Sequence, residues 1–271
     1  MTNDALLSQF ELWMLSTDRL DGTIQLRMRH ARELARTVHL RTVSAEQLEA
    51  ELARRRTLAP ETRKSILASW HLLFRWAHRR GIRRDDPTAD LPSIRVRQRV
   101  PRVAPDDDIE AALLTASTRD RALVMLARYG CLRLTELTTL HTSAREGDRL
   151  RIRGKGDKER IVYANEPLLF ALHALEREQG PGYYFPGRAG EHMHPMSVNK
   201  IITRVTGWNP HSLRHAGATA AYNATGDLRG VQEMLGHASL ATTQRYLHLD
   251  DDARRRIAEA TVIRARVWIA A

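Results

Sequence analysis

Four separated segments of this chain carry residues whose types and spacing could act on an anion. In Gly130-Cys131-Leu132-Arg133-Leu134-Thr135-Glu136-Leu137, an arginine interrupts an apolar stretch and a glutamate follows three residues later. A charge in such a setting must be paired, and an Arg133–Glu136 surface pair would satisfy it as well as a ligand would. Lys155 stands between Gly154 and Gly156, which let the backbone approach a ligand closely, although a lysine in a turn is usually just solvated. Pro210-His211-Ser212-Leu213-Arg214-His215 opens a helix, and a spacing of three puts His211 and Arg214 on one face of its first turn, where backbone donors also favour an anion. In Leu235-Gly236-His237-Ala238-Ser239, Gly236 ends one helix and Ser239 can cap the next, which carries Thr242-Thr243-Gln244-Arg245-Tyr246-Leu247-His248 with Tyr246 two turns in. Such a set could hold an anion on cations and attack it with a hydroxyl.

The elements that must position these residues are mainly helical. Residues Ala5 to Leu15 and Ile24 to Val38 show helical spacing, and Ser44 with Gln47 forms a capping-box pattern ahead of Leu48 and Leu52. Pro60 opens a long helix carrying Ile66, Leu67, Trp70, Leu73, Phe74 and Trp76, which stops at Gly81. The tryptophans share its apolar face and read as core rather than as platforms for bases. Residues 1–91 therefore form a four-helix or five-helix domain with Arg27, Arg29, Arg32, Arg36, Arg54, Arg55, Arg56, Arg63 and Lys64 on its surfaces. Residues 92–105 hold three prolines and Arg95, Arg97, Arg99 and Arg102 at near-alternate positions, an extended basic linker that either tethers or tracks a phosphate backbone. A second domain, residues 106–271, begins at Asp106-Asp107-Asp108. Within it Leu150 and Ile152 alternate with arginines, Gly154-Lys155-Gly156-Asp157 turns, and Ile161 and Tyr163 resume the alternation. The expected class is mainly α with a small antiparallel β-sheet.

Bulk properties narrow the partners. The net charge of +11 favours a polyanion, and residues 1–105 hold 20 Lys and Arg against 12 Asp and Glu, so the excess sits in the first part. A solubilising surface would also account for it. The single cysteine, Cys131, excludes an internal disulfide and a cysteine-based zinc site, and reads as packing. His192 and His194 lack a third ligand and read as loop residues. No apolar run of about eighteen residues appears, and Met1-Thr2-Asn3-Asp4 does not resemble a signal peptide, so the expected location is the cytoplasm, away from any membrane.

Together the segments resemble the tyrosine recombinase, or phage integrase, family. Its pattern of Gly-x-x-Arg-x-x-Glu, a hairpin lysine, His-x-Leu-Arg-His, Leu-Gly-His and Thr-x-x-Tyr-x-His is present here in order, from Gly130 to His248. The first ninety residues also look like the family's helical core-binding domain, a less specific likeness of pattern and length. The resemblance implies double-stranded DNA with a specific core site as substrate, a homotetramer in the DNA synapse, directionality or accessory proteins as further partners, and no metal or nucleotide.

The residue types suit that chemistry. Arg133 and Arg214 can each hold non-bridging phosphate oxygens by forked hydrogen bonds. Tyr246 must lose its proton as it attacks, and His211 is the expected acceptor. By resemblance, attack gives a DNA 3′-phosphotyrosine, Lys155 protonates the leaving 5′ oxygen, His237 bonds the phosphate, and Glu136 braces its neighbours without touching substrate. His215 and His248 belong to the motifs with structural work only. A supercoil-relaxing enzyme of the type IB topoisomerase class, or a non-catalytic regulator of the same fold, are the competing readings, while a metal-dependent nuclease lacks the carboxylate cluster it would need. The tail from about residue 253 to 271, with Ile257, Val262, Ile263, Val267, Trp268 and Ile269 after three arginines, is expected to dock on a neighbouring subunit rather than on its own domain.

Overall fold

The computed structural model describes residues 1–17, 19–97, 102–154, 159–188 and 190–236. Lys155, His237, Tyr246, His248, Arg99 and the tail expected to dock in trans lie outside them. The chain divides into two compact units, Met1–Arg99 and Val100–Ala271.

The first unit packs four helices, α1 (Asn3–Leu15), α2 (Asp21–Ala35), α3 (Ala45–Arg54) and α4 (Pro60–Arg79), around Phe10, Leu34, Leu40, Trp70 and Phe74. Ser44 and Gln47 exchange the expected reciprocal bonds at the start of α3, and Pro60 occupies the first turn of α4. α2 begins before Ile24 and ends at Ala35 rather than Val38. The Asn3 amide donates to the carbonyls of Ala35 and Val38, at 2.9 and 2.8 Å, and so takes up the end of that helix from outside it. Trp70 and Trp76 are buried in this core. After it the chain runs without helix or strand through Arg95 and Arg97, both exposed, while Ile94 packs on the helical core.

In the second unit Arg102 is exposed, and Ala104 is buried with its N–H 3.5 Å from the Ser212 carbonyl. α5 (Asp106–Thr115) starts at the three aspartates, which lie in the first turn where they face the positive end of the helix dipole. α6 (Thr118–Arg128) follows as the central helix. Its Leu123, Val124 and Leu126 are fully buried among α8 (Glu166–Gln179), α9 (Pro195–Thr206), α10 (Pro210–Thr225) and the sheet. α7 (Leu134–Thr139) and a 3₁₀ turn, Thr142–Ala144, lead into a three-stranded antiparallel sheet of β1 (Arg145–Glu146), β2 (Arg149–Arg153) and β3 (Glu159–Tyr163). α11 (Leu228–Leu235) is the last described helix. No described helix is long and apolar enough to cross a membrane.

The hairpin corrects one detail of the sequence reading. Leu150 pairs with Val162 and Ile152 with Arg160, so Val162 and Arg160 lie on the inner face, while Ile161 and Tyr163 are exposed. The inner place that an apolar residue would fill opposite Ile152 belongs to an arginine because a buried carboxylate waits for it below the sheet.

Candidate active site

α6 ends in a tight reversal before α7. A Cβ at Gly130 would sit 2.9 Å from the Leu126 carbonyl oxygen, and Cys131 follows in the left-handed region at φ 50°. This delivers Arg133 to the mouth of α7 and turns the Cys131 carbonyl toward α10, where it accepts from Nη1 of Arg214. Cys131 is packed with Ala218, Val231 and Leu235, and burial pushes its thiol up to about 11, so it stays protonated and inert. Gly217 makes the approach possible, because a Cβ there would lie 2.0 Å from the Arg128 carbonyl oxygen.

α10 is capped by Asn209, whose side chain accepts from the Ser212 N–H at 3.0 Å, with Pro210 behind it. His211 and Arg214 stand in the first turn. Arg214 is 2 % exposed, and Nη2 donates to the Leu235 carbonyl at 2.7 Å. Burial, followed by the nearby Arg133 charge, pulls its guanidinium down to about 10, still cationic at neutral pH. His211 meets His215, Nε2 to Nε2 at 2.7 Å with the rings nearly perpendicular. Desolvation, then Arg214 and Arg133, hold the His211 imidazole below its ordinary value.

Glu136 is the hub of the site. It is buried, and it accepts from the Arg133 N–H at 2.8 Å and from Arg133 Nη1 at 2.8 Å. Arg160 gives it two further bonds, 2.8 Å from Nη1 and 2.7 Å from Nη2, and Arg214 Nη1 lies 3.8 Å away. Burial alone would raise the carboxyl, but the bonds from Arg160, then those from Arg133, overcome it and hold the group at about 2. The spacing of three between Arg133 and Glu136 is thus a real pair, yet a buried one shared among three guanidiniums.

The same three arginines grip the end of α11. Arg160 Nε donates to the Met234 carbonyl at 2.9 Å, Arg214 to Leu235, and Arg133 Nη2 to Gly236 at 3.0 Å. These carbonyls lack partners within the helix and carry the negative end of its dipole, so cations there are favoured. Gly236 leaves the helix at φ 62°, and a Cβ on it would come within 3.0 Å of the Arg160 side chain. The next residue in sequence is His237, and Tyr246 is ten residues beyond Gly236.

Arg133, His211 and Arg214 line one cavity of about 330 Å³ with Leu132, Leu134, Thr135, Asn199 and Pro210 among the described residues. Two guanidiniums on a braced carboxylate, beside a neutral imidazole, suit an anion that must be held while a proton is moved. Elsewhere, His194 caps α9 by accepting from Met196, and His192 sits edge-on to Tyr183. Arg160 and Asn199 escaped the sequence reading. Arg160 could be found only by fixing the hairpin register, since its own neighbours Ile161 and Tyr163 suggest the opposite phase.

Comparison with known proteins gives consistent likenesses. The model of the phage integrase family matches residues 104–253. Tyrosine recombinase XerC of Chromobacterium violaceum is 32% identical over 248 residues, covering 83% of this chain and 83% of that protein. Tyrosine recombinase XerD of Vibrio cholerae is 33% identical over 216 residues, 70% of this chain and 71% of its own length. Among solved structures, a lambda integrase dimer bound to a COC′ core site superposes with a TM-score of 0.77 at 18% identity, over 94% of this chain and 79% of that one. A lambda integrase tetramer bound to a Holliday junction gives 0.74 at 18% identity, over 88% and 78%.

Proposed function

Because this chain belongs to the phage integrase family of tyrosine recombinases, we propose that it cleaves and rejoins DNA at a specific site through a 3′-phosphotyrosine on Tyr246. The observation that carries the reading is the convergence of Arg133, Arg214 and His211 on one cavity, with both arginines anchored to Glu136. Arg133 and Arg214 neutralise the scissile phosphate and stabilise the charge that grows in its pentacovalent transition state. Tyr246 attacks the phosphorus as its hydroxyl proton passes to neutral His211. The 5′ oxygen departs with a proton from Lys155, and His237 bonds a phosphate oxygen. The ester energy stays in the phosphotyrosine, so the 5′ hydroxyl of a second strand can reverse the step and reseal DNA without a metal or a nucleotide.

The first unit and the arginines at 95, 97, 99 and 102 supply contacts to the DNA backbone on this reading, in keeping with the basic excess of residues 1–105. The domain boundaries of 1–91, 92–105 and 106–271 belong to the same proposal. Assembly as a tetramer on DNA belongs to the same proposal, supported by the likeness to lambda integrase, a tetramer of which binds a Holliday junction. Docking of the tail on a neighbouring protomer is proposed with it, from the apolar residues between Ile257 and Ile269.

The test uses a duplex selected by the protein from a randomised pool and nicked beside the cleavage position, so that the product cannot religate. Wild-type protein should form a covalent DNA adduct, and Tyr246→Phe should form none while binding the same duplex as tightly. An adduct that survives the substitution would show another nucleophile.

A further inference from the structure

We propose that Arg160 is a positioning residue of the cleavage reaction: it locks the end of α11 to Glu136 and thereby fixes both phosphate-binding arginines and the point from which His237 departs. The inference rests on the recombinase reading above, and it adds a residue which that reading does not use.

All three described bonding directions of the Arg160 guanidinium point inward. Nη1 and Nη2 form a parallel fork to the Glu136 carboxylate at 2.8 and 2.7 Å, and Nε donates to Met234 at 2.9 Å. Its side chain is 11 % exposed, and it does not line the cavity that Arg133 and Arg214 line. Arg160 therefore works on groups that work on the phosphate. Without it Glu136 would keep only the Arg133 bonds and the longer contact to Arg214. A buried carboxylate so deprived draws the remaining cations toward itself and away from the cavity.

The second anchor is the helix end. Met234, Leu235 and Gly236 present successive carbonyls to Arg160, Arg214 and Arg133, so the last turn of α11 is indexed by three guanidiniums referred to one carboxylate. Arg160 packs closely over this turn, its Cδ 3.0 Å from where a Cβ on Gly236 would stand. Only a planar fork can grip two oxygens while its Nε bonds a third, so a lysine, which offers one point charge, cannot substitute.

The test compares wild type, Arg160→Gln and Arg160→Lys. Single-turnover adduct formation on the nicked duplex should fall on the order of a hundredfold in both variants, the size expected when reacting groups are displaced by about an ångström. Affinity for the same duplex should be unchanged, because it is made at many phosphates. Amide hydrogen exchange of the DNA-free protein, read on peptides spanning residues 228–236, should quicken in Arg160→Gln while the α6 peptides stay as protected as in wild type. Should Arg160→Gln fail to fold, the same loss of rate in a folded Arg160→Lys supports the proposal. Wild-type cleavage by Arg160→Lys would overturn it by showing that charge alone suffices, and unchanged exchange at α11 would overturn the anchor. A wild-type protein that forms no adduct overturns the recombinase reading itself, whereas an active wild type with indifferent variants overturns only the role of Arg160.

Discussion

His211 and His215 face each other Nε2 to Nε2 at 2.7 Å, a distance at which only one proton can lie between the two nitrogens. Desolvation, then the Arg214 and Arg133 charges, hold the His211 imidazole below its ordinary value. The acid limb of cleavage should therefore have its midpoint below about 6.5, the ordinary histidine value. Rates of adduct formation measured across pH check this. A midpoint above that value would mean that His211 is not the neutral base.

Glu136→Gln should cost about 3–5 kcal/mol of unfolding free energy, since it strips a buried carboxylate from Arg133, Arg160 and Arg214. The pH dependence has a definite sign. The folded carboxyl is held at about 2, below its ordinary value of 4.5, so its contribution is complete above the latter and is lost as pH falls toward the former. The shift corresponds to about 3 kcal/mol. Denaturant midpoints taken at about pH 6 and about pH 3 should differ less in Glu136→Gln than in wild type; an equal difference would place the acid sensitivity in other groups.

Gly217→Ala should destabilise the protein although alanine favours helix. The added carbon would lie 2.0 Å from the Arg128 carbonyl oxygen and 2.5 Å from the Cys131 sulfur. An overpacking cost of about 1–3 kcal/mol outweighs a helix gain of roughly 0.5–1 kcal/mol. Gly22→Ala in α2, with nothing within 4 Å, should show the opposite sign. Thermal melts of the two variants separate steric from conformational effects.

Lys155→Ala should slow cleavage of ordinary DNA severely and be rescued on DNA whose 5′ bridging oxygen is sulfur, because a thiolate leaves without a proton. The same variant without rescue would take the lysine out of the general-acid role.

Local signals in the sequence were a good guide to local structure. Ser44 with Gln47, Pro60, Gly81 and the three aspartates at 106–108 each act on backbone groups within one turn, and the helix starts and stops fall where they point. Arg133, Glu136, His211 and Arg214 were legible because their motifs are contiguous. What the sequence left open is what depends on which segments meet. The Arg133–Glu136 spacing fits a surface pair and a buried one equally, and burial is decided by α10 and β3, far away in the chain. Arg160-Ile161-Val162-Tyr163 offers apolar residues in both phases, so only the pairing of Ile152 with Arg160 tells which phase faces inward. The grip on Met234, Leu235 and Gly236 is wholly tertiary, with partners up to 103 positions apart, and no periodicity announces it.

That pairing gives the hairpin a single notch in which to rest. Ordinarily a strand with apolar residues in both phases could slide by one place at little loss, since one greasy face would replace another. Here a slide by one would swing Arg160 into water, bring Ile161 against Glu136 and abandon a carboxylate in the interior. The hairpin is keyed by an ion, as a shaft is keyed to its hub. Any lengthening of the chain between Arg153 and Glu159 must then be absorbed by the loop itself, leaving the two strands and everything fastened to them where they were.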